Sequence, residues 1–166
     1  MSKKYNTKLL IVGSGPDLDS YKKLAKKLKI EKDVIFTGAV PWEDIPYYYG
    51  LADVFTTASV TETQGLTVIE AMAASLPVVC MNDESFNNVV INGLNGKLFN
   101  NRREYKSAIT NLITDEKQLH VMSKQARISS ETHSLKYYAE QILDVYKSAI
   151  GNKKASMVSK ITNFFK

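Results

Sequence analysis

The stretch "TETQGLTVIEAMAASLPVV", from Thr61 to Val79, places two carboxylates, Glu62 and Glu70, with seven residues between them and a glycine, Gly65, in the gap. A helix starting near Gly65 would leave the N–H groups of Gly65, Leu66 and Thr67 pointing out of its N-terminus, which favours an anion, typically a phosphate. Glu62 would then lie on the loop side of that end and Glu70 inside it by about a turn and a half. A carboxylate beside a phosphate is awkward unless it accepts hydrogen bonds from neutral hydroxyls. A ligand with hydroxyl-bearing groups on both sides of a phosphate bridge would use both glutamates, and a nucleotide sugar has that shape. A structural alternative stands beside this reading. Thr67 and Glu70 fit Ser/Thr-x-x-Glu, so Glu70 could close a capping box, and Glu62 could be an exposed loop carboxylate.

The elements around the motif follow from apolar patterning. "KLLIVGSG" (Lys8 to Gly15) reads as a buried strand ending in glycines, and "PDLDSYKKLAKKLKI" as a helix with Pro16 near its start. Tyr21, Leu24, Ala25 and Leu28 fall at helical spacing and are expected to form its buried stripe. "DVIFTG" (Asp33 to Gly38) and "DVFTTAS" (Asp53 to Ser59) are the next strands, separated by a turn and a short helix that Pro46 interrupts. "GLTVIEAMAAS" is an apolar helix, "LPVVCM" a fourth strand, and a loop-rich stretch follows with a short strand near "GKLF". After Asn100 three helical patterns remain: "EYKSAITNLIT", "EKQLHVMSKQARISSE" and "SLKYYAEQILDVYKSAI". Alternating strands and helices imply right-handed crossovers, a parallel sheet and the α/β class. In such a sheet ligands bind beyond the carboxyl ends of the strands, where "TETQGLT" lies.

Composition narrows the function. An apolar fraction of 44% in 166 residues is enough for one core. The single cysteine, Cys80, excludes an internal disulfide framework and sits in an apolar run as a buried thiol. No run approaches the ~20 apolar residues of a membrane span, and there is no secretory signal, so the expectation is a cytoplasmic protein. A net charge of +5 is concentrated in "YKKLAKKLKIEK" and the tail. The first run reads as a solvated helix face. Nothing resembles the aromatic–basic pattern of a nucleic-acid-binding sheet. His120 and His133 are isolated on helical segments and read as surface residues rather than ligands. "GSGPDL" supplies two glycines of a dinucleotide fingerprint, with no acidic residue at the end of "DVIFTG". Residues 151–166 form a separate basic tail, in which Met157, Ile161, Phe164 and Phe165 would share a helix face. That tail could lie on a membrane surface, dock on another domain or remain disordered.

The motif as a whole resembles the family 4 glycosyltransferases of the GT-B fold. Their donor-binding domain carries "EGFGLxxxEAMAxGxPVV", and this chain reads "ETQGLTVIEAMAASLPVV". The resemblance extends through "KLLIVGSGPDLDSYKKLAKKLKIEKDVIFTGAV" and "IPYYYGLADVFTTAS" before the motif and "NNVVINGLNGKLF" after it. It implies a Rossmann-like parallel sheet flanked by helices over residues 1–150, half of a GT-B enzyme without its first strand–helix unit, ending in helices. It also implies roles. Glu62, the catalytic candidate, would contact hydroxyls of the donor sugar, and Glu70 the ribose. Leu66 and Thr67 would bind the diphosphate through N–H groups at the Gly65 turn. Val40 would meet the base through its backbone, and Gly13 and Gly15 would line the cleft, or simply form a tight turn.

The implied reaction is transfer of a hexose from a nucleoside-diphosphate sugar, UDP-glucose first, with retention at the anomeric carbon and without a metal or other cofactor, which fits the absence of a clustered Asp/His ligand set. Two parts of the family pattern are missing: the acceptor domain, and the segment carrying an Arg and a Lys that face the diphosphate. Arg102, Arg103 and Arg127 lie in the wrong places to replace them. The leaving diphosphate would have little stabilisation beyond a helix N-terminus, so a fragment that is inactive alone is expected. The alternative is a binding or assembly module that needs a partner chain. "ETQGLT" is similar to the diacylglycerol glucosyltransferases of bacteria, which suggests a lipid or polysaccharide acceptor and a peripheral place on the inner face of a membrane. Ser75 stands where the family has a glycine and is small enough for the turn.

Overall fold

The computed structural model describes residues 5–62 and 65–164, with side chains as far as residue 151. In chain order the elements are β1 (Leu9–Val12), α1 (Leu18–Lys27), β2 (Val34–Gly38), α2 (Ile45–Gly50), β3 (Phe55–Thr57), α3 (Leu66–Ala73), β4 (Val78–Met81), β5 (Gly96–Phe99), α4 (Arg102–Thr114), α5 (Glu116–Glu131) and α6 (Leu135–Phe164). Short 3-10 turns at Trp42–Asp44 and Glu84–Phe86 punctuate the loops. Pro46 does not interrupt α2. It stands in the first turn, where its missing N–H would have had no helical partner.

Every strand pairing is parallel, as the alternating pattern requires. The sheet is divided, however. Among the described residues β1 pairs with β2 alone, and β3, β4 and β5 form a second sheet in that order. Val78 of β4 faces Phe55 in β3 and Gly96 in β5.

Nearly all of the core belongs to the three-stranded sheet. Alternation along β4 sends Val78 and Cys80 into a cluster with Val68, Ala71 and Met72 of α3 and Phe86, Val89 and Val90 of the following loop. Val79, from the opposite face, packs with Phe99, Ala108 and Leu112 of α4 and Met122 of α5. Helix α3 ends in a Schellman motif: Ser75 N–H donates to the Met72 carbonyl at 2.9 Å and Leu76 N–H to the Ala71 carbonyl at 3.0 Å. Ser75 itself is left-handed at φ +65°, so the residue that replaces a glycine does occupy a glycine conformation. Its carbonyl accepts from Ser123 Oγ at 2.6 Å, and Arg127 donates to the carbonyl of Ala73, which fastens α5 to the C-terminal end of α3.

The β1–α1–β2 unit is built differently. Of the expected stripe only Ala25 is buried; Tyr21, Leu24 and Leu28 are 52%, 50% and 57% exposed. The helical spacing was read correctly, but no described element covers that face. Helix α6 is in the same situation. Leu135, Tyr138, Ile142, Val145 and Tyr146 are all exposed. It runs through residue 150 to Phe164 as one helix, and the tail face of Met157, Ile161, Phe164 and Phe165 lies outside the described side chains.

Candidate nucleotide-sugar site

Helix α3 starts at Gly65, whose φ of +60° and ψ of +37° are left-handed. Phe86 explains the glycine a second time: a Cβ there would lie 3.0 Å from the Phe86 ring. The loop that presents Phe86 is held by Asp83 and Asn95. Asp83 accepts from Ser85 N–H at 3.0 Å and Ser85 Oγ at 2.6 Å, bonds that hold its carboxyl below the usual carboxylate range. The buried Asn95 accepts from Ile91 N–H at 2.8 Å and donates to the Val89 carbonyl at 3.0 Å.

The Gly65 carbonyl already accepts from Val68 N–H at 2.9 Å and Ile69 N–H at 3.1 Å. Gly65 is therefore the N-cap, and Leu66 and Thr67 are exposed in the first turn, where N–H groups have no intrahelical acceptor. That assignment removes the capping-box alternative. The box needs Thr67 at the N-cap, but the N-cap is Gly65, two residues earlier. Glu70 instead accepts a hydrogen bond from Tyr49 Oη of α2 at 3.0 Å, and the same hydroxyl approaches the Thr67 carbonyl at 3.3 Å.

Tyr49 is the site residue that sequence reasoning missed. Its ring packs on Phe55 at a centroid distance of 6.0 Å. Burial, and then the Glu70 carboxylate, push its phenol well above the ordinary range, so it stays a neutral donor at any physiological pH. Three consecutive tyrosines, Tyr47 to Tyr49, gave no signal as to which one would reach across the 21 residues to Glu70.

The remaining candidates lie at carboxyl ends of strands. Gly13 follows β1 at φ +124°, and its N–H donates to the Gly38 carbonyl at 3.0 Å. The Gly15 carbonyl accepts from Leu18 N–H at 3.2 Å, so the turn reading of these glycines has direct structural content. Val40 follows β2 and is half-buried, and Glu62, also half-buried, ends the described stretch after β3. Two groups therefore emerge: Gly13, Gly15 and Val40 beyond the two-stranded sheet, and Glu62, Gly65, Leu66, Thr67 and Glu70 beyond β3. Among the described residues no hydrogen bond joins the groups. An apolar cleft of about 390 Å³, lined by Thr56, Met81, Phe99, Arg102 and Tyr105 among others, contains none of these residues. Its floor is the α4 face of the sheet, opposite α3.

A parallel α/β domain with a glycine-started helix and a tethered carboxylate at its strand ends matches the family model described as "Glycosyl transferases group 1" over residues 1–129. The chain belongs to that family, and its parallel sheets and flanking helices are those of a GT-B glycosyltransferase domain. It is 37% identical over 151 residues to an alpha-monoglucosyldiacylglycerol synthase of Acholeplasma laidlawii, covering 90% of this chain and 38% of the relative. It is 32% identical over 146 residues to a protein of the same name from Streptococcus pneumoniae, covering 86% and 32%. The chain thus spans about a third of the length of these relatives. Among solved structures it resembles Anabaena Alr3699/HepE in complex with UDP, with a TM-score of 0.75, 25% identity and coverage of 86% of this chain and 41% of that one. It also resembles the C-terminal domain of the group 1 protein LpcC from Francisella tularensis, with a TM-score of 0.68, 28% identity and coverage of 79% and 72%. Among the described residues no helix is long and apolar enough to cross a membrane.

Proposed function

We propose that this chain is the donor-binding domain of a retaining glycosyltransferase that moves a hexose from a nucleoside-diphosphate sugar, UDP-glucose first, to a lipid or polysaccharide acceptor. The observation that carries the reading is the start of α3, where exposed first-turn residues follow a left-handed glycine and Glu70 is held by Tyr49. Leu66 and Thr67 N–H groups bind the diphosphate, whose charge the helix N-terminus favours. Glu70 accepts from the ribose hydroxyls with one carboxylate oxygen while Tyr49 occupies the other. Glu62, on the loop side, accepts from the sugar hydroxyls and holds the anomeric carbon for transfer. Val40 meets the base through its backbone, and Gly13 and Gly15 leave room along the cleft. No metal or cofactor takes part. The acceptor site belongs to a second domain, so this piece binds donor without turning it over. The names of the two synthases support a lipid acceptor, and a peripheral place on the membrane with the basic tail as the contact would go with one.

Calorimetric titration with UDP, UDP-glucose and GDP-mannose, repeated on Glu70→Ala, tests the site. Saturable UDP binding that weakens at least about tenfold in the variant is expected. GDP-mannose binding instead would keep the family and replace the base and sugar. Binding unchanged in Glu70→Ala would remove Glu70 from the site.

A further inference from the structure

We propose that Trp42 is the platform on which the donor's base stacks, so that one segment, Val40 to Tyr49, reads the nucleoside from base to ribose. The inference rests on the donor-site reading and adds to it the side chain that holds the base.

Trp42 is 78% exposed, although tryptophan is on average a well-buried residue. The turn that presents it is fixed. Pro41, with φ −56° and ψ 145°, is the N-cap of the 3-10 turn Trp42–Asp44. Asp44 N–H donates to the Pro41 carbonyl at 3.1 Å, and Ile45 N–H donates to the Trp42 carbonyl. Pro46 follows in the first turn of α2. Two proline rings with set φ angles leave the backbone around Trp42 little freedom to lose on binding. A large aromatic held out on a stiff turn offers wide contact area at low entropic cost.

The turn also aims it. Residues three apart eclipse in a 3-10 turn, so Trp42 stands over Ile45. Ile45 and Tyr49 are four apart and share a face of α2. Trp42 is therefore on the side of the segment from which Tyr49 donates to Glu70 at 3.0 Å. Tyr47 and Leu51, both 74% exposed, lie on the opposite side of α2.

Val40 and Trp42 follow β2 at its carboxyl end, and Glu62, Gly65 and Glu70 follow β3 at the same end of a parallel strand. Trp42 and Tyr49 are about 12 Å apart along the segment. Helical side chains lean toward the N-terminus, so the Tyr49 hydroxyl reaches back toward Trp42. The base of a nucleoside whose ribose hydroxyls meet Glu70 would fall in the interval between them.

Charge decides against the other common use of an exposed tryptophan, anchoring at a bilayer surface. Glu43 and Asp44 are exposed beside it, and an anionic headgroup layer would repel both carboxylates. A neutral, flat base carries no such penalty, and every base has a π-face to offer the indole.

Trp42 is the only tryptophan in the chain, so tryptophan emission reports on this residue alone. The test measures acrylamide quenching of that emission with and without UDP. It also compares UDP with ribose diphosphate, which lacks the base, by calorimetry on the wild type, Trp42→Ala and Trp42→Phe. UDP is expected to shield the indole, and ribose diphosphate to leave it accessible. Trp42→Ala should weaken UDP about tenfold and leave ribose diphosphate unchanged, while Trp42→Phe, which keeps a ring, recovers most of the loss. Melting temperatures should match across the three, since most of the side chain is in water. UDP that binds without shielding the indole, or binds Trp42→Ala as well as the wild type, overturns the proposal and leaves the donor site standing. Equal weakening toward both ligands overturns it too, since Trp42 would then only prop the turn. A wild type that binds neither ligand removes the donor-site reading and this proposal with it. GDP in place of UDP, with the same shielding, keeps the stacking and changes only the base. Shielding by phosphatidylglycerol vesicles and not by a nucleotide would assign the indole to lipid instead.

Discussion

The β3–β5 half and the β1–β2 half of the molecule obey the same sequence pattern and reach different ends. Around β4 the apolar residues close into two clusters, one on each face, with Val68, Met72, Val78, Phe86 and Leu112 wholly inside. Around β1 the same kinds of residue, at equally good spacing, leave Ala25 as the one buried hydrophobic side chain among the described residues up to Pro41. Pattern sets which face of a helix is apolar. Burial also needs a second layer, and only the β3–β5 half has it on both faces. Most of the stability, and the part of the site anchored on α3, should therefore reside in that half.

The sharpest way to break the contrast is Phe86→Ala. It removes a fully buried ring and the wall behind Gly65, and should cost about 3–5 kcal/mol in urea unfolding. Gly96→Ala comes next. A Cβ there would meet the Val78 carbonyl oxygen at 2.5 Å, and backbone cannot yield as a side chain can, so about 2–3 kcal/mol is expected from the urea midpoint.

Alkali separates the halves through Cys80. Burial pushes its thiol up to about 12, while an unfolded cysteine ionises near ~8.5. The folded state then holds the proton that the unfolded state loses. The contribution is fully present below the unfolded value and declines as pH rises toward the folded one. Between pH 8 and 10 the loss should be about 2 kcal/mol, absent in Cys80→Ala when urea midpoints are compared at the two pH values.

Tyr49→Phe tests the tether rather than the core. Losing the hydroxyl from Glu70 should weaken UDP binding by about 1 kcal/mol, or fivefold, and have no effect on 2′,3′-dideoxy-UDP, which lacks the hydroxyls assigned to Glu70. Equal weakening toward both ligands would make Tyr49 a structural strut alone. The smallest effect belongs to Leu24→Ala. With half its surface already in water, it should change stability by less than about 0.5 kcal/mol, and a loss comparable to that of Phe86→Ala would erase the distinction between the halves.

Much of this was legible beforehand, for reasons that can be named. The strands around Leu10, Phe36, Thr56, Val79 and Leu98 fall where short apolar runs end in glycine or polar turns, and α5 begins and ends as its spacing indicates. These are local signals. Pro46 was misread because a proline seen in sequence can open a helix as readily as stop one, and the preceding 3-10 turn decides which. The capping box was an honest ambiguity, since Thr67 and Glu70 have the spacing, and only the left-handed Gly65 moves the N-cap upstream.

The amino-acid sequence by itself determined the class of the domain, its parallel strands, the glycine at the start of α3 and the pair of glutamates about it. Local propensity and hydrophobic period are written residue by residue. Tertiary structure alone decided that Tyr49 reaches Glu70, that Phe86 backs Gly65, and that the stripe on α1 is uncovered. Each of these depends on which elements become neighbours across tens of residues, and no periodicity records whether a neighbour is there.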